Sequence, residues 1–259
     1  MTASLRHLAV TQTGAVATVV FDRPPVNAVD LDVIEEFLQV VDRLGADQGV
    51  RAVVVTGPEG RFCAGADIAV LRDLSPENQR RIRRWVDVQS ALEAMEKPVV
   101  AAVSGYALGG GAELALACDV RLMARGGEFG FPEIRLGFFP GAGGTQRLSR
   151  LVGPARALRL MMEGRRLTAD QARDLGLADE VVPPSLLQKT AGDVAERLAA
   201  GPTRAIGLLK RCVYQGYGRP IDEGLALEAQ AVSELIRTAD AREGMEAFLA
   251  KRPPRFRGI

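Results

Sequence analysis

Residues 98–113 read Pro98-Val99-Val100-Ala101-Ala102-Val103-Ser104-Gly105-Tyr106-Ala107-Leu108-Gly109-Gly110-Gly111-Ala112-Glu113. Pro98–Ser104 is an apolar run without polar alternation, which reads as a strand buried on both faces. Glycines then interrupt the chain, and Ala112–Cys118 continues as a helix-like segment apolar on every side. A strand that ends in a glycine turn and opens a helix leaves backbone N–H groups free at the positive end of the helix dipole. Such groups bind a negative oxygen, whether of a phosphate or of a developing oxyanion. A side chain would crowd that approach, and Gly109–Gly111 removes three in a row.

Strand and helix alternate outward from this unit. Upstream, His7–Thr13 and Ala15–Phe21 alternate around Gly14 and read as a hairpin. Asp30 caps a helix through about Leu44, with Ile34, Phe37, Leu38 and Val41 on one stripe. Arg51–Thr56 is a buried strand ended by Gly57-Pro58. Ser75-Pro76-Glu77 begins a helix, as cap, first-turn proline and acid, that reaches about Glu96 before Lys97-Pro98. Downstream, Val120–Ala124 is a strand, and weaker alternation runs to Val181-Val182. Thr168-Ala169-Asp170-Gln171 has the spacing of a capping box. From Ser185 the pattern is helical, interrupted at Gly201-Pro202, at 218–220 and near Asp240. The reading is an α/β core followed by a helical region.

Composition bounds the function. The 259 residues carry 33 basic and 32 acidic side chains, a net charge of +1, and are 47% hydrophobic. One large domain, or a domain with a small appendage, fits this length. Near-neutral charge argues against a nucleic-acid partner. No apolar run approaches the ~18 residues of a membrane span. Met1–Val10 lacks the marks of a leader. The three cysteines, Cys63, Cys118 and Cys212, are odd in number and set among apolar neighbours, which suits reduced, buried thiols in a cytoplasmic protein. With one histidine, His7, in a strand-like stretch, neither a histidine-rich metal site nor a Ser-His device is expected. No metal is expected. Chemistry falls to carboxylates and backbone dipoles.

Nucleotide loops fail on spacing. No glycine precedes a lysine, which excludes the P-loop. Gly141-Ala142-Gly143 starts a dinucleotide fingerprint, but Gln146 occupies its third glycine. The candidates left are acids. Glu113 alone is what a first helical turn favours. Its apolar setting, however, implies burial, which raises a carboxyl toward the range useful for acid–base work. Glu133, in Phe129-Gly130-Phe131-Pro132-Glu133-Ile134, is either a surface loop acid or the second member of a pair.

The segments Phe62-Cys63-Ala64-Gly65-Ala66-Asp67-Ile68, Gly105–Asp119 and Phe129–Leu148, in this order and spacing, resemble the crotonase (enoyl-CoA hydratase/isomerase) family. The likeness extends from Val19–Pro24 through Thr238–Met245 to Phe248–Arg257, essentially the whole chain. The resemblance implies a spiral of β-β-α turns over 1–195 holding the active site. It also implies a helical oligomerisation region over 196–259 that builds trimers, commonly paired as hexamers. It implies a coenzyme A thioester as substrate, and no cofactor apart from it. Carried over by position, the oxyanion hole falls on the N–H groups of Ala64 and Gly110, and the catalytic acids on Glu113 and Glu133. Gly144 supports the catalytic water or carboxylate. Val26, Ala66, Asp67 and Ile68 fall on the coenzyme-binding segments, while Phe248 and Lys251 are positions through which a neighbouring subunit reaches the coenzyme. The segment 71–88 corresponds to the acyl-pocket wall.

One departure is Pro25-Val26-Asn27-Ala28, where the family commonly has Ala-Leu-Asn-Ala preceded by lysine; a phosphate contact is thereby in doubt. Another is Phe138-Phe139, bulkier than in many relatives. The resemblance implies syn addition of water to a trans-2-enoyl-CoA, of the fatty acid β-oxidation type. The alternatives are a Δ3,Δ2-enoyl-CoA isomerase, another crotonase-type lyase or hydrolase of acyl-CoA, and a non-catalytic CoA-binding or RNA-associated relative.

Overall fold

The computed structural model describes residues 5–73 and 75–259. Residues 1–4 of the Met1–Val10 reading, and Leu74 of the 71–88 segment, lie outside them. The hairpin forms between β1 (Leu8–Thr13) and β2 (Val16–Phe21), in antiparallel register from Leu8↔Phe21 to Thr13↔Val16. After β3 (Ala28–Val29), Asp30 caps α1 (Leu31–Ala46) by accepting the Val33 N–H at 2.9 Å. Val33, Ile34, Phe37, Val40, Val41 and Leu44 form its buried stripe, while Leu38, expected there, is half-buried.

β4 (Ala52–Thr56) is buried at every position and is followed by β5 (Gly65–Ala66) and the short α2 (Ile68–Leu71). The helix expected over 75–96 is two helices, α3 (Pro76–Arg83) and α4 (Trp85–Ala94). At Arg84 the N–H turns to the Arg81 and Ile82 carbonyls, a tightened turn that resets the buried face. Its cause is the change of surroundings: α3 carries Arg80, Arg81 and Arg83 and buries little but Asn78, whereas α4 must bury Trp85, Val88, Gln89 and Leu92.

β6 (Val99–Val103) and β7 (Tyr106–Leu108) lead to α5 (Gly110–Leu116), which begins two residues before the expected start at Ala112. Gly109 makes this possible, because its φ of 53° and ψ of −121° turn the chain directly into the helix. β8 (Val120–Ala124) and β9 (Glu128–Gly130) precede a 3₁₀ turn over Pro132–Leu136, then α6 (Gly144–Val152) and α7 (Pro154–Glu163). β10 (Arg166–Thr168) runs into α8 (Ala169–Asp174), where the capping box of Thr168 and Gln171 is present, and β11 (Glu180–Val182) follows.

Among the described residues the large sheet has six strands in the order β1-β2-β4-β6-β8-β11, parallel from β2 onward. The short strands make a second layer, β3-β5 and β7-β9-β10, linked through a bridge between Cys63 and Ala107. Each turn of the chain thus lays one strand in the large sheet and a short one beside it before its helix. Between the layers lies an apolar core that includes Phe21, Phe37, Trp85, Met123 and Phe129.

The opposite face of the large sheet is covered by α9 (Leu187–Ala199), which buries Leu187, Ala191, Val194, Ala195 and Ala199 against it. A division at 195/196 would cut this helix. The break falls instead between α9 and α10 (Thr203–Gly216), which is followed by α11 (Ile221–Leu235) and α12 (Ala239–Leu249). The reason is packing: α9 belongs to the sheet, while α10 pairs chiefly with α11.

Candidate active site

The spiral brings the two acids together from elements twenty residues apart. Glu113 lies in the first turns of α5 and is 2% exposed. Its Oε1 accepts the N–H groups of Ala142 and Gly144, each at 2.8 Å. Burial raises its pKa, opposed by these two bonds and by the Arg147 cation. Gly144 must be bare, since a Cβ there would lie 2.7 Å from Pro140 Cβ and 3.0 Å from Glu113 Oε1.

Glu133 reaches the same place from the 3₁₀ turn. A Cβ on Gly109 would stand 2.9 Å from its Oε1, so this carboxyl rests against the glycine that opens α5. Its Oε2 is buried without a hydrogen-bond partner. Burial pushes the Glu133 carboxyl up to about 7, and the nearby Glu113 adds to the rise. One acid is therefore cradled by donors, which favour its anion. The other has one buried oxygen without a partner, and burial outweighs the backbone hydrogen bond that favours its anion.

The N–H groups around the pair are not equivalent. Gly109 donates to the Gly130 carbonyl at 2.9 Å and is spent. Gly110 is the first residue of α5, where a helical N–H has no partner within the helix. Ala64, which the resemblance places in the oxyanion hole, donates to the Val26 carbonyl at 3.2 Å. That expectation is corrected: the Ala64 N–H is already used to tie two segments of the fold. The next available donor is on Ala66. β5 pairs with β3 in register Val29↔Ala66, and the Asp67 N–H donates to the Val29 carbonyl at 2.8 Å. Neighbouring residues of a strand direct their N–H groups to opposite sides, so that of Ala66 points away from β3. The start of α5 lies close by, since a Cβ on Gly65 would be 3.2 Å from the Gly110 nitrogen.

Asp67 and Val26 serve the fold around this point. Asp67 accepts the Ala69 N–H at 2.9 Å and an Arg23 N–H at 2.8 Å, and so caps α2 and closes an ion pair. Ile68 is half exposed beside it. Phe248 and Lys251 lie at the C-terminal end of α12, Phe248 83% exposed.

Residues that pattern reading passed over also build the site. Asn27, fully buried at a φ of 52°, donates to the carbonyls of Phe21 at 2.6 Å and Phe62 at 3.0 Å. It thereby fixes the segment that carries Cys63 to Ala66, and an asparagine amid apolar residues after a Pro-Pro pair was the available signal. Trp85 donates from Nε1 to the Gly110 carbonyl at 3.1 Å. The Cys63 and Cys118 thiols are buried and pushed up to about 12, which makes them inert small side chains. Glu36, another buried acid, accepts the N–H groups of Arg6, His7 and Leu8 and anchors the start of β1. A cleft of 720 Å³ beside α12 holds Asp240 and Glu243, but Glu243 is paired with Arg252 and Asp240 accepts the N–H groups of Arg257 and Gly258. Those acids hold the C-terminal tail.

Comparison with known proteins places the chain in a family. The profile described as "Enoyl-CoA hydratase/isomerase" matches residues 11–258. The short-chain-enoyl-CoA hydratase of Clostridium acetobutylicum is 39% identical over 251 residues, covering 96% of each chain. The crotonyl-CoA hydratase of Syntrophomonas wolfei is 40% identical over 243 residues, covering 93% of this chain and 94% of that one. The crystal structure of an enoyl-CoA hydratase from Bacillus anthracis superimposes with a TM-score of 0.93 at 36% identity, over 98% of this chain and all of the other.

Proposed function

The chain belongs to the enoyl-CoA hydratase/isomerase family, has the crotonase fold, and is an enoyl-CoA hydratase, a lyase; from that premise we propose how its residues add water to a trans-2-enoyl-CoA. The observation that carries the proposal is the unequal pair at the start of α5. Glu113 is held by two N–H donors, and Glu133 is left with an unpartnered oxygen.

Addition to the conjugated thioester puts enolate charge on the thioester oxygen. The N–H groups of Ala66 and Gly110 stabilise that charge, and each such donor is worth about 10²–10³ in rate. Ionised Glu113 takes a proton from water as its oxygen bonds to C3. Protonated Glu133 delivers its proton to C2. The proton on Glu113 then passes to Glu133, which restores both groups and leaves a 3-hydroxyacyl-CoA. Both acids approach from the same side, so addition is syn. Only protons move, so no cofactor is consumed and coenzyme A enters as part of the substrate. Val26, Ile68 and the backbone of Ala66 and Asp67 are the proposed coenzyme contacts, completed by Phe248 and Lys251 from another copy.

That last role requires self-association. Phe248 and Leu249 are more than 80% exposed, and Leu209 on α10, Ile221 and Val232 on α11, and Ile236 just after α11 are also largely exposed. Apolar surface on this scale marks an interface, and a closed ring of identical subunits is its simplest cover. We therefore propose a trimer, or a hexamer of paired trimers. Among the described residues no helix is long and apolar enough to cross a membrane. The unpaired Cys63, Cys118 and Cys212 suit a reducing, cytoplasmic compartment.

The test is loss of the conjugated thioester absorbance with 2-enoyl-CoAs from C4 to C16, alongside a 3-enoyl-CoA as isomerase substrate. Turnover of crotonyl-CoA is expected. Binding of acetoacetyl-CoA without turnover of any enoyl-CoA would leave a non-catalytic protein and defeat the proposal.

A further prediction concerns the cost of Glu133. Its folded pKa of about 7 stands above the ordinary carboxyl value of 4.5, so its contribution to stability is full below 4.5 and is lost as pH rises through 7. Glu133→Gln removes that loss. The variant should match the wild type near pH 4.5 and exceed it at pH 8 by roughly 3 kcal/mol, while its hydratase activity collapses. Denaturant melts at both pH values measure it, and equal stability at pH 8 would refute the assignment of the proton to Glu133.

A further inference from the structure

We propose that Arg147 is a positioning residue for Glu113, clamping from behind the Ala142–Gly144 turn whose two N–H groups hold the Glu113 carboxylate. The inference rests on the reading that Glu113 acts on water. Its basis is a set of contacts that the chemistry above does not use.

Arg147 lies in the first turn of α6, and its side chain is only 12% exposed. A cation there opposes the helix dipole, so helix stability does not explain its place. All three nitrogens of its guanidinium are engaged. Nε donates to Glu93 Oε1 at 2.7 Å and one terminal nitrogen to Glu93 Oε2 at 2.8 Å. The other terminal nitrogen donates to Gln89 Oε1 at 2.7 Å and to the Ala142 carbonyl at 3.2 Å. Glu93 and Gln89 are one turn apart on α4, so they meet the planar fork together. A Cβ on Gly143 would collide with this guanidinium, and the bare Gly143 at φ +106° lets it pass beneath the turn. The contacts form a chain: α4 holds Arg147, Arg147 holds the Ala142 carbonyl, and the N–H groups of Ala142 and Gly144 hold Glu113.

The charged and titratable groups on the elements around α5 are few. They are Arg147 and Arg150 on α6, Asp87 and Glu93 on α4, Tyr106 on β7, Glu133 and Arg135 on the 3₁₀ turn and the Cys63 thiol, while β5 contributes none. Of these, Arg147 is the cation that lowers the proton affinity of Glu113. A bidentate Arg–carboxylate pair is rigid where a lysine would be a point charge. The arrangement therefore separates geometry from charge, and variants can report each.

The experiment measures kcat and KM for crotonyl-CoA across pH, with melting temperature and acetoacetyl-CoA affinity, for Arg147→Gln, Arg147→Lys and Glu93→Gln. Arg147→Gln should lower kcat about 10- to 100-fold with KM nearly unchanged, since small misplacements of a reacting group have effects of that size. Its acidic limb in kcat should move to higher pH, because Glu113 then binds its proton more tightly. Arg147→Lys should restore the limb but not the rate. Glu93→Gln, almost isosteric, removes the anion that offsets Arg147 and should move the limb the opposite way, to lower pH. If these variants lose thermal stability while kcat and the acidic limb stay where they were, Arg147 only staples two helices and the proposal falls. Should Arg147→Gln not fold, the opposite shift in Glu93→Gln decides the matter alone. A wild-type protein inert toward every enoyl-CoA would instead remove the hydratase reading itself.

Discussion

Glutamine at position 113 should lower the rate of crotonyl-CoA hydration about 10²–10⁴-fold, the usual weight of one positioned acid–base group. The substitution is nearly isosteric. The amide oxygen can still accept from the N–H groups of Ala142 and Gly144, which sit 2.8 Å from Oε1, so the loop and helix keep their places. What disappears is the anion that takes the proton of water. Because Glu113 is 2% exposed, bulk solvent cannot stand in for it. Affinity for acetoacetyl-CoA should change little, since the carboxylate acts on water and the coenzyme is held elsewhere. Melting should not be lowered, because a buried carboxyl whose pKa is raised by burial costs stability at neutral pH. Stopped-flow or steady-state loss of the enoyl-thioester absorbance reads the rate, and wild-type turnover in this variant would end the mechanism.

Proline at position 110 should be nearly as damaging by a different route. It deletes one N–H from the oxyanion site and places ring carbon where the hydrogen pointed, for a loss of at least about 10²–10³ in kcat. The backbone is suited to the change: Gly110 is the first residue of α5, where proline is common, and its preceding residue is glycine. A Cβ there meets Trp85 Nε1 at 3.1 Å, a contact that alanine would make equally. Gly110→Ala is thus the control, because it keeps the N–H and adds the same Cβ. Proline far below alanine in kcat, with both folded by circular dichroism, is the expected result. Equal activity of the two would show that this donor does not face the substrate.

Much of the fold was legible because it is encoded locally. The hairpin around Gly14, the Asp30 cap, the capping box at Thr168 and the buried strands over 52–56 and 99–103 each follow from a few adjacent residues. The misreadings share a cause of the opposite kind. The turn at Arg84 depends on what α4 packs against, and α9 runs on to Ala199 because Ala195 and Ala199 in its last turns are buried with the residues of the large sheet. In the site, the ordered motifs pointed to both acids and to Gly144. They did not show that the Ala64 N–H is consumed by Val26, since that bond joins positions 38 residues apart. Nor did they single out Arg147, whose partners Gln89 and Glu93 lie 58 and 54 residues away.

The order of apolar runs, glycine turns and caps, by itself, determined an α/β core followed by helices with one acid at a helix start, and the resemblance of the ordered motifs added the spiral and the second acid. Those signals are short-range, set by backbone propensity and side-chain size. Only the tertiary structure decided which N–H groups remain free, and which acid accepts two N–H donors while its neighbour keeps a buried oxygen without a partner. Burial and hydrogen-bond partners decide these matters, and both are supplied by segments that meet only when the chain is folded.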